Sequence, residues 1–199
     1  MSALSKLVGN PKPWPSFTDK YPVKVKTLNP PSGFLKQLTK DIKEAGDNLH
    51  NRTAAKCLMT RWDMHKEYTT FRDIGAAAIE VAEKCPVAKR TDSSGKPLTV
   101  PLFIKECWGL IYVNGNKTEV HNHWPSLWSY TFCVNACDEC APLVFPSTTN
   151  DPLEVMPKTS QLIVFPAWIK HEVPVHTCNH DRIMVAGNLN IRENESNAA

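Results

Sequence analysis

Apolar residues recur every three or four positions in two segments of the N-terminal half. In residues 34–50, one side is formed by Phe34, Leu35, Leu38, Ile42, Ala45 and Leu49. In residues 70–84, one side is formed by Phe71, Ile74, Ala78, Val81 and Ala82, and Pro86 follows. This spacing predicts two amphipathic helices whose apolar faces pack against a sheet. Ser32 is positioned to cap the first helix.

The pattern changes after a polar loop at residues 90–98. Short apolar segments rich in β-branched and aromatic residues then alternate with turns: TVPLFIK, CWGLIYV, WSYTFCV, PLVF, QLIVF, EVPV and RIMVAGNLNI. Several short strands with no helix between them predict a β-sandwich or barrel. The fold class we predict is therefore mainly β with N-terminal helices.

These patterns divide the chain into four regions. Residues 1–33 are rich in proline and predict an extended arm, in which YPVKVKTL adds a short edge strand. Residues 34–98 form a helical support region, residues 99–192 form the β core, and residues 193–199 are a polar tail. Residues 33–192 are expected to fold as one domain, since 199 residues suffice for one ordinary core.

Composition narrows the functional classes. Hydrophobic residues make up 42% of the chain and charged residues 22%, which is typical of a soluble globular protein. The net charge of +3 is not concentrated in a Lys/Arg-rich block, so nothing predicts nucleic-acid binding. No apolar run is long enough for a bilayer, and the N-terminus lacks a signal-peptide core. We therefore expect a cytoplasmic protein with no membrane partner.

Three histidines in two places are the first candidates for chemistry. His121 and His123 form an H-x-H pair after the turn-rich VNGNKTEV, and His171 follows 50 residues after His121. If the pair begins a strand near a barrel mouth, its two imidazoles point to the same face. In a jelly roll, a strand at this distance returns beside the first. Three neutral imidazoles suit Fe, Zn, Cu or Ni; alternatively, His171 is a structural histidine beside Trp168.

Arg182 begins the segment RIMVAGNLNI, which alternates between two kinds of position. Ile183, Val185, Leu189 and Ile191 are uniformly apolar and should pack outward against the helices. Arg182, Ala186 and Asn188 would then face the barrel interior. A buried guanidinium is costly unless it meets an anion, and its fork binds a carboxylate with two hydrogen bonds. The alternation thus predicts an internal acid or an acidic ligand beside Arg182.

Four segments in this order resemble a known family: CWGLIYVNGNKTEVHNHWPSLWSYTFCV, APLVFPSTTN, QLIVFPAWIKHEVPVH and DRIMVAGNLNI. They are similar to the Fe(II)- and 2-oxoglutarate-dependent oxygenases of the group common in marine bacteria and cyanophages. RWDMHKEY adds to a resemblance that covers about two-thirds of the chain. It implies a double-stranded β-helix (a jelly-roll or cupin-like barrel) and a dioxygenase that hydroxylates its substrate.

The resemblance also implies roles for individual residues. His121 and His171 would bind iron, and Arg182 would hold the distal carboxylate of 2-oxoglutarate. His123 stands where most such oxygenases have Asp or Glu, so it would complete an all-histidine metal site. We also expect Asn188 and Tyr130 to contribute to the 2-oxoglutarate site. The substrate is left open among a free amino acid, a peptide side chain and a small metabolite.

Two other functions fit the same barrel. GNKTEVHNH is similar to the first cupin motif, although the later glutamate of that motif is missing. A three-histidine cupin-type dioxygenase would leave Arg182 for another acid. The missing carboxylate ligand and the proline-rich arm also fit a structural or interaction component of a viral particle, with weak or lost catalysis. It would then lie in the host cytoplasm or the virion, with protein neighbours bound through the arm.

The remaining aromatic and sulfur-containing residues give weaker signals. Trp124, Trp128 and Trp168 are candidates for the walls of the substrate mouth, or for packing. The spacing of Cys133, Cys137 and Cys140, with Cys178 as a fourth, resembles the ligand set of a structural zinc. Cys133 falls within a predicted strand, whose direction does not suit such a site. We therefore expect ordinary buried thiols rather than zinc.

Overall fold

The computed structural model describes residues 23–49, 52–85, 90–91, 94–95, 97–98, 101–146 and 151–191. Residues 1–22 of the predicted arm and the whole of the predicted tail, 193–199, lie outside the described residues. Within the described ranges, no helix has the length and apolar character needed to cross a bilayer.

Three helices are described ahead of the β core. They are α1 (Phe34–Ala45), α2 (Met64–Glu67) and α3 (Thr69–Glu83). α1 and α3 confirm the two amphipathic helices, and only the short α2 was missed. α1 ends earlier than predicted, at Ala45, and the C-cap residue Gly46 has a positive φ of 72°. The predicted cap is wrong: Gly33, not Ser32, is the N-cap residue, and no side chain caps the helix.

The described strands build two larger antiparallel sheets and one hairpin. They are β1 (Lys24–Thr27), β2 (Ala55–Lys56), β3 (Leu58–Met59), β4 (Arg90–Thr91), β5 (Pro97–Leu98), β6 (Leu102–Tyr112), β7 (Lys117–His121), β8 (Trp128–Asn135), β9 (Leu143–Phe145), β10 (Leu153–Val155), β11 (Gln161–Pro166), β12 (His171–Val173) and β13 (Arg182–Ile191). One sheet has the order β1-β11-β8-β13-β6-β3, and the other has the order β10-β9-β12-β7-β2. β4 and β5 pair with each other, within the segment expected to be a loop.

Two apolar layers hold this arrangement together. The outer layer joins α1 and α3 to the six-stranded sheet and includes Leu38, Phe71, Phe132, Val164 and Val185. The inner layer lies between the two sheets and includes Trp108, Cys133, Phe145, Phe165 and Met184. The architecture is therefore helices, a six-stranded sheet and a five-stranded sheet, in that order. This confirms the mainly β fold with N-terminal helical support.

β13 lies between β8 and β6 in the six-stranded sheet, and its alternation agrees with the prediction. Ile183, Val185 and Leu189 belong to the outer layer beneath the helices. The inward positions line the space between the two sheets: Arg182, Met184, Ala186 and Asn188. Since successive side chains of a strand point to opposite faces, one segment supplies both the helix contact and the site.

Two glycines allow side chains to lie directly on the outer face of this sheet. A Cβ on Gly109 would lie 2.6 Å from Cγ1 of Ile42, the α1 residue that packs there. A Cβ on Gly187 would lie 2.4 Å from Oη of Tyr130. Both distances are well inside van der Waals contact, so neither position has room for a side chain.

Candidate metal centre

The three predicted histidines meet at one end of the space between the sheets. β7 pairs with β12 so that His121 and His171 are direct Cα partners. His123 follows two residues after the end of β7, and its backbone N–H donates to the carbonyl of Ala167 at 2.7 Å. The expected convergence of two distant segments is therefore present. The local expectation was wrong, however: His121 ends a strand, and the pair does not begin one.

The imidazole rings are close enough to share one ion. Ring centroids are separated by 4.4 Å for His121 and His171, 4.8 Å for His121 and His123, and 5.1 Å for His123 and His171. One nitrogen from each ring lies within 4.8 Å of the other two. Among the described residues, no Asp or Glu joins this group. The donor set is thus three imidazoles, which suits Fe, Zn, Cu or Ni.

Backbone carbonyls orient two of the three rings. Nδ1 of His121 donates to the carbonyl of Glu119 at 2.7 Å, and Nδ1 of His171 donates to the carbonyl of Ile169 at 3.0 Å. A carbonyl can only accept, so the proton of each neutral ring is on Nδ1 and Nε2 keeps its lone pair. This is how protein metal sites commonly fix the tautomer of a ligating histidine.

Polar side chains of the six-stranded sheet lie beside the third ring. Nδ2 of Asn188 is 3.5 Å from Nδ1 of His123 and donates to Oε2 of Glu106 at 2.8 Å. Its Oδ1 accepts from Oγ of Ser129 at 2.8 Å. Glu106 and Ser129 were missed by the sequence analysis. In the sheet, Asn188 of β13 pairs with Glu106 of β6 and with Ser129 of β8. The signal that could have identified both residues is therefore their cross-strand pairing with Asn188, a predicted site residue.

The environment keeps all three imidazoles neutral at ordinary pH. Burial, together with the nearby His121 ring, lowers the pKa of His123 to about 3. Burial also lowers the pKa of His121, and it lowers that of His171 well below the usual value. Neutral rings offer lone pairs, so at neutral pH no proton has to leave before a cation binds.

A cavity of about 210 Å³ extends between the sheets from the histidines to Arg182. Its lining is mostly apolar and includes Met59, Trp108, Leu110, Leu143, Phe165, Val173, Met184 and Ala186. Polar side chains also line it and include Tyr112, Thr118 and Thr131. A cavity of this kind, with a few converging polar groups, is what small-molecule sites commonly offer.

Arg182 is only 2% exposed and lacks an acidic partner within the part of the chain that the structure describes. Its guanidinium carbon stands 4.7 Å from the centre of the Tyr112 ring. Its Nε is buried and has no hydrogen-bond partner. Oγ1 of Thr131, on the same cavity wall, is also buried without a partner. Unpaired buried donors are costly, and an oxygen-rich anion in this part of the cavity would give them partners.

Two predicted site residues, Tyr130 and Trp128, belong to the outer apolar layer. The hydroxyl of Tyr130 lies near Gly75 of α3 and against Gly187. Strand alternation explains this, because Ser129 and Thr131 take the inward positions of β8. Tyr130 is nevertheless among the residues that line the cavity, as are Asn188 and Arg182, whereas Trp128 is not.

The other two predicted tryptophans are close to the histidines. Trp124 is 73% exposed and adjacent in sequence to His123, while Trp168 is 43% exposed and adjacent to Ala167, whose carbonyl contacts the His123 backbone. Trp62, which the sequence analysis did not select, lines the cavity and is 46% exposed. Trp124 and Trp168 are not among the residues that line the cavity.

The comparisons agree with this geometry. No protein-family model matches the chain, and no curated protein matches it by sequence. Solved structures do match. A prolyl-4-hydroxylase from Pseudomonas putida aligns with a TM-score of 0.63 at 13% identity, over 89% of this chain and 96% of that one. The fold is that of the 2-oxoglutarate oxygenases. This confirms the double-stranded β-helix predicted from the sequence.

Two further matches contain bound molecules. The viral collagen prolyl hydroxylase of Paramecium bursaria Chlorella virus 1, in complex with 2-oxoglutarate, gives a TM-score of 0.64 at 13% identity over 86% of this chain and 97% of that one. HygX from Streptomyces hygroscopicus, with nickel, 2-oxoglutarate and hygromycin B bound, gives a TM-score of 0.60 at 10% identity, over 87% of this chain and 84% of that one. At such identities the likeness establishes the fold alone.

Proposed function

We propose that this protein is an Fe(II)- and 2-oxoglutarate-dependent oxygenase that hydroxylates a bound substrate. The observation that supports this most directly is the pairing of two features in one cavity. Three neutral imidazoles converge at one end, and a buried arginine without a described acidic partner lies along the same wall. A metal ion and a dicarboxylate would satisfy the two features together.

Each group has its own set of residues. His121, His123 and His171 would hold the iron, while Arg182 would bind the distal carboxylate of 2-oxoglutarate through its planar fork. Thr131 supplies a further unpaired hydroxyl on the cavity wall. When bound, iron and 2-oxoglutarate supply the oxidative chemistry by which this class of enzymes hydroxylates C–H bonds.

The chain's own contribution is placement and the exclusion of water. The Tyr112 ring holds the guanidinium of Arg182 from one side, and the Tyr112 hydroxyl is itself fixed by Oγ1 of Thr118 at 2.6 Å. Asn188 lies beside His123 and links it to Glu106, the acidic residue that accepts its hydrogen bond. The apolar walls keep the local dielectric low, which strengthens each of these electrostatic contacts.

The substrate class we propose is a small molecule or a peptide side chain. One matched structure is a collagen prolyl hydroxylase, and another is an enzyme with hygromycin B bound. The exposed rings of Trp62, Trp124 and Trp168 offer apolar surface for either kind of substrate. Membership of the marine bacterial and cyanophage group, and any association with a viral particle, stay predictions from the sequence.

Ligand-dependent thermal stability tests the proposal and separates the alternatives. A ligand that binds only the folded state at 100 times its Kd stabilises it by about 2.7 kcal/mol. We expect the Tm to rise with metal, and to rise again when 2-oxoglutarate is added to the metal-loaded protein. A rise with metal but none with 2-oxoglutarate would favour the three-histidine cupin-type dioxygenase. No rise with either would favour a structural component and contradict the proposal.

A further inference from the structure

Three cysteine thiols that the iron site does not use meet at a second place in the barrel. Sγ of Cys137 lies 3.6 Å from Sγ of Cys140 and 3.8 Å from Sγ of Cys178. The remaining pair, Cys140 and Cys178, is separated by 3.7 Å. Cys140 and Cys178 are buried, and Cys137 is partly exposed. The three sulfur atoms therefore form a nearly equilateral triangle.

The size of this triangle matches one bonding arrangement and not another. Zinc–thiolate bonds are about 2.3 Å long, and tetrahedral geometry then separates two sulfur ligands by about 3.8 Å. A disulfide would bring two of the sulfurs to about 2.05 Å, far shorter than any side observed here. The triangle is thus the face of a tetrahedron with room for one thiophilic ion.

Backbone groups support the sulfur atoms as metal ligands. The backbone N–H of Cys137 donates to Sγ of Cys140 at 3.3 Å, and the backbone N–H of Glu139 donates to Sγ of Cys137. Such donors point at a developing negative charge and lower the pKa of Cys137, whereas burial raises the pKa of Cys140. A tight turn with two cysteines three residues apart places both sulfurs on the same side.

His176 beside the triangle contributes differently. Its Nδ1 accepts the backbone N–H of Ala141 at 3.3 Å, so the ring proton is on Nε2. Nε2 donates to the carbonyl of His180 at 2.7 Å and lies 3.4 Å from Sγ of Cys178. A protonated nitrogen cannot ligate a metal, but it can donate to a thiolate. His176 is accordingly a positioning residue, and the fourth ligand has to come from outside the described protein groups.

The position of the triangle gives the site a structural consequence. Cys137 and Cys140 lie between β8 and β9, while Cys178 lies between β12 and β13. Both connections cross from one large sheet to the other. They are also joined by the side-chain amide of Asn135, which donates to the carbonyl of Asp181 at 3.0 Å. Arg182 follows Asp181 directly, so whatever fixes these connections also fixes the start of β13.

We propose that Cys137, Cys140 and Cys178 bind one Zn²⁺ through three thiolates, with a water molecule or another exogenous group as fourth ligand, and that this ion clamps the two crossovers that position Arg182. The site is separate from the histidine centre and does not depend on the oxygenase proposal. It differs from the preference for ordinary thiols stated from the sequence. It also replaces the earlier ligand set, because Cys133 lies in the inner apolar layer instead.

Metal analysis of the purified protein tests this most directly. The His171→Ala variant weakens the histidine centre, so that zinc retained after dialysis reports on the cysteines. We expect one zinc per chain in this variant and near-complete loss when Cys178→Ser is added. Cys133→Ala is the matched control, since Cys133 is also buried but lies outside the triangle, and it should keep the zinc. Equal zinc content in the Cys178→Ser and Cys133→Ala proteins would overturn the proposal.

X-ray absorption at the zinc edge gives a second reading on the unmutated protein, so a variant that fails to fold leaves the test intact. With iron loaded at the histidine centre, we expect three sulfur ligands and one light atom around the zinc. A zinc shell without sulfur would overturn the site. A protein mass lower by two hydrogens, with no zinc, would show a disulfide instead and would also overturn it.

Discussion

Replacing Arg182 by methionine should strongly weaken 2-oxoglutarate binding without destabilising the metal-free protein. Methionine keeps much of the side-chain volume but removes the guanidinium. Arg182 is 2% exposed and has no ion pair with a described residue. Its removal therefore takes an uncompensated charge out of a buried position, which offsets the lost contact with Tyr112. We expect the free energy of unfolding to stay unchanged or to rise.

The loss of binding can be given a magnitude. A hydrogen bond to a charged group contributes about 1.5–3 kcal/mol, so two of them contribute about 3–6 kcal/mol. Each 1.4 kcal/mol corresponds to a tenfold change, so the Kd for 2-oxoglutarate should rise by a factor of about 10² to 10⁴. Arg182→Lys keeps the charge but not the planar fork, so its Kd should lie between that of the unmutated protein and that of the Arg182→Met variant.

Isothermal titration calorimetry under anaerobic conditions measures this Kd on metal-loaded protein. Met184→Leu is the matched control, since Met184 lines the same wall of the cavity without a polar group. It should bind 2-oxoglutarate like the unmutated protein. A Kd for the Arg182→Met variant within threefold of the unmutated value would refute the assignment. A large loss of stability in the metal-free variant would instead show that Arg182 has a structural role.

Three further predictions concern the surroundings of the site. Asn188→Ala should weaken metal binding about 10–100-fold by removing the contact beside His123, as measured by metal titration; an unchanged affinity would exclude this role. Gly187→Ala should lower the free energy of unfolding by about 1–3 kcal/mol or more, because the new Cβ meets Oη of Tyr130 and the Glu106 backbone; a neutral result in urea unfolding would contradict this packing. Finally, metal-free protein should lose stability as the pH falls from 6.5 towards 3. Burial lowers the pKa of His123 to about 3, so in this range the unfolded chain takes up a proton that the folded protein does not. The contribution is about 1.4 kcal/mol per pH unit, or about 2 kcal/mol between pH 6.5 and 5. His123→Gln should reduce this slope in urea unfolding, and an identical slope would show that His123 does not cause it.

The parts of the fold that the sequence predicted follow from periodicity. A spacing of three to four residues identified α1 and α3, and strict alternation in β13 correctly placed Arg182 inside and Val185 outside. Both patterns are local consequences of helix and strand geometry. Convergence of His171 with the H-x-H pair was expected from the order of strands in a jelly roll, and the direct pairing of His171 with His121 confirms it.

The features that the sequence did not predict depend on contacts between distant segments. Ser129 and Thr131 take the inward positions of β8, and Trp128 and Tyr130 belong to the outer layer beneath the helices. The sequence of β8 did not reveal this, because the residues on each of its faces would fit either the helix side or the cavity side. The Cys178 thiol meets two others about 40 residues away, a contact that no local spacing could reveal. Glu106 reaches the site through Asn188, so it became visible only with the register of β6 and β13.

The most direct test of the proposed function is the fate of 2-oxoglutarate in the presence of Fe(II) and ¹⁸O₂. One atom of each oxygen molecule used should enter succinate as carbon dioxide is released, even when turnover without substrate is slow. We expect labelled succinate from the unmutated protein and none from the His171→Ala or Arg182→Met variants. Labelled succinate at equal rates from all three proteins, or none from the iron-loaded unmutated protein, would contradict the proposal that these residues form an oxygenase site.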